Sequence, residues 1–170
     1  KEQIVVIHVH LGKYEHHGVI EHIESTIDHE LVVLHPNRDL GDAILLKGMF
    51  PSARQRWCTS DLKNNTIQKF IRRYMNENKL KVGFNCVGLR SEESPGRAKK
   101  SPLFVNTKLN APTKKREIYD WYPVFAHNVT EVFDTIEDAG QQAHSMYGNR
   151  GDKNERLSCA LCILANKNDL

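Results

Sequence analysis

The chain has 170 residues, 39% hydrophobic and 26% charged, with ten Gly and six Pro, a balance that builds one globular core and excludes collagen-like or disordered chains. Its longest apolar runs, residues 4–7 and 31–34, fall far short of the ~18–20 residues a membrane-crossing helix needs, and the opening Lys1-Glu2-Gln3 lacks a signal-peptide stretch, so a cytoplasmic chain with no membrane partner is expected. The 24 basic and 21 acidic residues leave a formal charge of +3, too small to argue for bulk nucleic-acid binding.

The first predicted element is a strand over residues 4–9, so uniformly apolar that it reads as buried on both faces, as in a parallel sheet. A Gly-containing loop over 11–18 precedes a helix carried by Val19, Ile20, Ile23 and Ile27. A second buried strand, 31–34, ends before Pro36. Strand, helix and strand within about thirty-five residues make a βαβ unit. A short helix follows over 42–47, then a loop over 48–57. Thr59 and Ser60 are N-cap types opening a helix whose stripe is Leu62, Ile67, Phe70, Ile71 and Tyr74, running to Asn78. A third strand, 82–87, stops at Gly88. Residues 90–116, rich in basic side chains, read as a long loop over a site, or as a solvated basic loop. A strand-like stretch over 117–124 leads to Asn128-Val129-Thr130-Glu131, a capping box opening a helix to Ala139 with Gly140 as its stop. His8, His10, His16, His17, His22 and His29 lack metal-ligand spacing and read mostly as surface or hydrogen-bonded residues. The whole reads as one α/β domain, 1–170.

Four cysteines stand at 58, 86, 159 and 162. In a cytoplasmic α/β chain they suggest metal or redox chemistry before disulfides. Cys159-Ala160-Leu161-Cys162 lets two sulfurs face one metal or cluster, form a redox disulfide, or simply pack in a core. Cys58 sits at a helix start, where backbone amides favour a thiolate. Cys86, inside a strand, reads as core. Beyond the third strand's carboxyl end, where open α/β sheets bind ligands, lies Gly88-Leu89-Arg90-Ser91-Glu92-Glu93-Ser94-Pro95-Gly96-Arg97. Arg90 and Arg97 suit bidentate binding of phosphate or sulfate, and Ser91 and Ser94 add hydroxyl donors. Arg56 and Lys63 flank Cys58 and add positive charge.

That stretch resembles the arginine-containing motif of the phosphoadenosine phosphosulfate (PAPS) reductase family, within the adenine-nucleotide alpha-hydrolase superfamily. Arg56-Trp57-Cys58-Thr59-Ser60-Asp61-Leu62-Lys63 is similar to the family's cysteine-and-basic segment at a helix start. Trp121-Tyr122-Pro123-Val124-Phe125 with Thr130-Glu131-Val132-Phe133 resembles its aromatic-Pro turn and following helix. His144-Ser145-Met146-Tyr147 and Arg156-Leu157-Ser158-Cys159-Ala160-Leu161-Cys162 resemble its closing segment and cysteine pair.

The resemblance implies a Rossmann-like parallel sheet with helices on both faces. It also implies an adenine nucleotide (ATP, APS or PAPS) bound through Arg56, Lys63, Arg90, Ser91, Ser94 and Arg97, with Arg90, Lys63 and Arg97 as the catalytic cations. Cys58, Cys159 and Cys162 match cysteines that in one branch hold a 4Fe-4S cluster. The branch's tandem Cys-Cys reads Trp57-Cys58 here, so either Cys86 or an outside ligand completes a cluster that takes four, or there is no cluster. The family's Ser-Gly-Gly-Lys-Asp-Ser loop and Glu-Cys-Gly-x-His tail are absent from the 170 residues, and the resemblance then implies either a first strand and phosphate loop outside them, the expectation taken here, or a member that has lost its phosphate loop. Where the family often places an Asp after the second strand, this chain has His10. Without the catalytic tail, the expectation moves from plain sulfonucleotide reduction toward ATP-dependent sulfur transfer, with an electron- or sulfur-donor protein as partner and nucleic acid as one possible acceptor. The competing reading is a non-catalytic nucleotide- or nucleic-acid-binding module with a structural zinc on Cys58, Cys159 and Cys162, joined by a histidine such as His144.

Overall fold

A computed structural model describes residues 4–154, 157, 159–160 and 162–165. Lys1, Glu2, Gln3, Arg156, Ser158 and Leu161, all used in reading the sequence, lie outside the described residues. The chain is a mixed α/β protein that divides into two compact units, residues 1–69 with 143–170 and residues 70–142. Among the described residues no helix is long and apolar enough to cross a membrane.

In the first unit, β1 (Val6–Val9) pairs in parallel with β2 (Leu31–Leu34), Val6 opposite Leu31 and Val9 opposite Leu34. Helix α1 (Val19–Thr26) connects them, as the βαβ pattern predicts. The strands are less buried than expected: Val9 is enclosed, while the other residues of both strands are partly exposed. Their apolar runs anticipate cover on both faces and both edges, and the sheet has two strands among the described residues. Helix α2 (Leu40–Lys47) begins on Asp39, whose carboxylate accepts the Asp42 N–H at 2.8 Å, and stops at Gly48 in the left-handed conformation. The next helix starts earlier than Thr59 or Ser60. Residues Cys58–Asn64 form a π-helical stretch entered from Trp57 without a side-chain cap, and α3 (Asn65–Glu77) continues it. Ser60 is no cap because it lies inside that helical stretch, where its hydroxyl donates to the Trp57 carbonyl at 3.0 Å or the Asp61 carboxylate at 2.8 Å. Val9, Leu11, Leu40, Ala43 and Leu62 form the core, with Tyr14, Leu34, Trp57, Cys58, Ile67 and Cys159 packed against it.

The second unit holds a three-stranded sheet ordered β3-β5-β4. β3 (Val82–Cys86) and β5 (Glu117–Trp121) are parallel, and β4 (Leu103–Val105) is antiparallel to β5. Gly83 allows α3 to sit close, since a Cβ there would stand 3.3 Å from the Met75 methyl. Met75, Leu109 and Ile118 form the core. β5 ends before Tyr122-Pro123, where Phe125 N–H closes a turn on the Tyr122 carbonyl at 3.1 Å. The capping box forms as expected: Asn128 accepts the Glu131 N–H and Glu131 accepts the Asn128 N–H, opening α5 (Val129–Asp138).

The expected long loop over 90–116 is instead structured. It contains a tight turn at Ser91–Glu93, α4 (Pro95–Ala98), β4, a further turn at Pro112–Lys114 and a bridge between Ala111 and Arg116. Ser94 caps α4 by accepting the Arg97 N–H, and Pro95 occupies the first helical position. Arg116 is buried within the unit rather than offered to solvent. Its Nε donates to the Leu109 carbonyl at 3.2 Å and an Nη to Asn76 Oδ1 at 3.1 Å. The basic residues mask these elements in the sequence because their charge reads as solvated loop.

Candidate functional site

The residues singled out from the sequence fall into two groups, one in each unit. In the first unit the parallel pairing puts the carboxyl ends of β1 and β2 on one side, and the last residue of each strand, Val9 and Leu34, belongs to the core cluster. Cys58 and Cys159 pack against that same cluster. About one hundred residues of chain separate them, and the fold brings them together. The Cys159–Cys162 turn closes through the Cys162 N–H on the Cys159 carbonyl at 2.9 Å, and it is anchored by the Ala160 N–H on the Tyr14 carbonyl at 3.0 Å. Burial pushes the Cys159 thiol up; the Lys63 ammonium opposes this through its charge and a hydrogen bond, while negative charge on Cys162 or Cys58 adds to the rise. Lys63 is thus placed on a cysteine. Arg56 is exposed, its guanidinium 3.5 Å from the Thr59 hydroxyl. The Trp57 indole N–H is buried without a hydrogen-bond partner, and the Lys47 ammonium stands over the ring at 5.1 Å.

His144, the histidine considered for zinc, is buried. Its Nδ1 accepts the Met146 N–H at 3.2 Å, and its ring meets His22 edge-on at 5.3 Å. Cys86 is exposed on β3 rather than in a core, because strand alternation puts it on the same face as the exposed Val82 and Phe84.

In the second unit the arginine segment and the aromatic-Pro turn meet. Ser91 N–H donates to the Phe125 carbonyl at 2.8 Å. Tyr122 stacks on Phe125, and the Lys100 ammonium lies 5.7 Å from the Tyr122 ring centre. Burial and the Asp120 charge push the Tyr122 phenol up, against the opposing charge of Arg97. Both guanidinium groups carry carboxylate partners: Arg90 pairs with Glu92 and Arg97 with Glu93. Glu93 also accepts the Arg90 backbone N–H at 3.0 Å. Arg90, Ser91, Ser94 and Arg97 therefore form one continuous segment in which the Ser94 hydroxyl serves the backbone and the arginines are internally neutralised.

One further arrangement is not anticipated by the residue spacings considered above. His8 lies on β1 and His10 one residue past its end, two residues apart on an extended chain and so on one side of it, and the turn at Gly12–Tyr14 returns Glu15 to them. His8 Nε2 lies 3.0 Å from Glu15 Oε2, and His10 Nδ1 contacts the same oxygen. Burial raises the Glu15 carboxyl, but the hydrogen bonds and charge of His8, then His10, outweigh it and hold Glu15 below its usual value. Among the described residues these three form a group of ligand-type side chains whose donor atoms all lie within 4.8 Å of one another. The signal was the His-x-His spacing on a strand, which gives one face at a period of two.

No family model matches the chain, and no curated protein matches it.

Proposed function

We propose that the chain is an adenine-nucleotide-binding enzyme resembling the PAPS reductase family, with a Rossmann-like arrangement, acting in sulfonucleotide reduction or nucleotide-dependent sulfur transfer. The observation that carries this reading is the convergence of Cys58, Cys159 and Cys162 with Lys63 in the first unit, at the cluster where β1 and β2 end. That is where open α/β sheets place their ligands.

Burial holds the Cys159 thiol above its usual value, and Lys63 offsets part of that rise, easing the loss of the proton when the sulfur binds a metal or cluster. Three thiols from one unit supply three of the four ligands of an iron–sulfur cluster, the fourth coming from outside this trio. When bound, such a cluster supplies one-electron chemistry. A tetrahedral zinc fits less well. The histidine considered as its fourth ligand, His144, has its Nδ1 engaged by the Met146 N–H. In the second unit, Arg90 and Arg97 bind phosphate or sulfate oxygens by exchanging the carboxylates of Glu92 and Glu93 for the anion, and Lys100 beside Tyr122 adds charge.

Calorimetric titration of the full chain with ATP, APS and PAPS tests the nucleotide. One of the three binds, and Arg97→Ala weakens it about 30- to 160-fold, the value of a charge-assisted pair of ~2–3 kcal/mol. Failure of all three to bind refutes the reading. Anaerobic purification with iron and zinc analysis tests the thiol centre: iron that Cys159→Ser removes supports a cluster, whereas zinc without iron that the same substitution removes favours the non-catalytic module.

A further inference from the structure

We infer that His8, His10 and Glu15 form a binding site for a divalent cation of the zinc class, separate from the cysteines and independent of the nucleotide reading. Two imidazoles and one carboxylate are the donor set of open zinc sites, in which three protein ligands leave a fourth position for water or substrate. Around zinc at 2.0–2.1 Å such donors stand about 3.3 Å apart. The structure holds them near that spacing, with His8 Nε2 at 3.0 Å from Glu15 Oε2, His10 Nδ1 on the same oxygen, and all three donor atoms within 4.8 Å of one another.

The backbone fixes this geometry in advance of any ion. His10 N–H donates to the Leu34 carbonyl at 2.9 Å, extending the β1–β2 ladder one residue past the strands. Glu15 N–H donates to the Gly12 carbonyl at 3.1 Å, closing a turn that Gly12 permits by its positive φ of 60°. The Ala160 N–H on the Tyr14 carbonyl holds the turn from its other side. The Glu15 side chain is 9% exposed and the His10 side chain 27%, so the carboxylate is shielded while the site stays open through His10. The ring of His35, just beyond β2, meets His10 edge-on at 5.6 Å and borders that opening. On binding, each imidazole presents a bare nitrogen to the ion and keeps its proton on the other ring nitrogen, and Glu15 supplies the negative charge.

The test is histidine footprinting of the EDTA-treated full chain with diethyl pyrocarbonate, with and without added Zn2+, read by peptide mass spectrometry. Saturating Zn2+ is expected to slow modification of His8 and His10 at least tenfold while leaving the exposed His17 and His29 unchanged. Equal rates at His8 and His10 with and without Zn2+ overturn the site, and this result needs no variant. In Glu15→Gln, with folding checked by circular dichroism, the Zn2+ concentration giving half protection should rise at least tenfold. Unaltered protection in a folded Glu15→Gln chain overturns the ligand set.

Discussion

Glu93 holds the key to whether the arginine segment receives an anion. Its carboxylate neutralises Arg97 and accepts the Arg90 N–H, so an incoming phosphate must first displace a partner that is always present at high local concentration. Glu93→Gln keeps an acceptor for the Arg90 N–H, because the amide oxygen replaces the carboxylate oxygen, but it removes the charge that competes at Arg97. A hydrogen bond to a charged group contributes about 1.5–3 kcal/mol. Removing that competition should tighten adenine-nucleotide binding roughly 10- to 100-fold. The stability cost is smaller, at or below about 1 kcal/mol, since the Arg97 side chain is 27% exposed and water screens the pair. Isothermal titration of wild type and variant with the same nucleotide measures the gain, and urea unfolding measures the cost. An affinity that is unchanged or weaker in a folded Glu93→Gln chain would refute the exchange, leaving the Arg97–Glu93 pair a brace for α4 alone.

Three further outcomes follow from packing and charge. Leu109 is 1% exposed in the second core, so Leu109→Ala should cost about 2–5 kcal/mol by urea unfolding. Asn128→Ala removes one half of the α5 capping box and should cost about 1 kcal/mol, whereas Asn128→Ser should restore most of it. His22 titrates below its usual value because burial, then the neighbouring His144, disfavours its charged form. The unfolded chain therefore takes up the proton first, so this contribution is present above a pH of about 6.5 and is lost as the pH falls toward the folded value. His22→Gln should flatten that part of the stability profile, and an unaltered slope would count against the assignment.

The elements that could be read from the sequence are those whose signal is local and redundant. β2 runs over the predicted 31–34 because an apolar tetrapeptide between charged residues and a proline admits little else, and the α5 capping box is a pair of side chains three residues apart. What escaped depended on partners distant in sequence or on local competition for a side chain. Ser60 looked like a cap because its type says so, yet it lies inside the helical stretch, where the Trp57 carbonyl or the Asp61 carboxylate takes its hydroxyl. Arg116 looked like solvated charge until Leu109 and Asn76 surrounded it. The same contrast runs through the chemistry. The cysteine residues drew notice by type, and the fold supplied their convergence with Lys63. The histidines, scattered along the sequence, show no helix-type or cysteine-type metal spacing. On a strand, alternate residues share a face, and a five-residue reach through a tight turn is enough to return a carboxylate to them. His-x-His at the end of a predicted strand, followed by a glycine turn and an acidic residue, is therefore a stronger pattern than nine scattered histidines suggest. It is legible in the amino-acid order itself, because strand period and turn length decide which donors can meet.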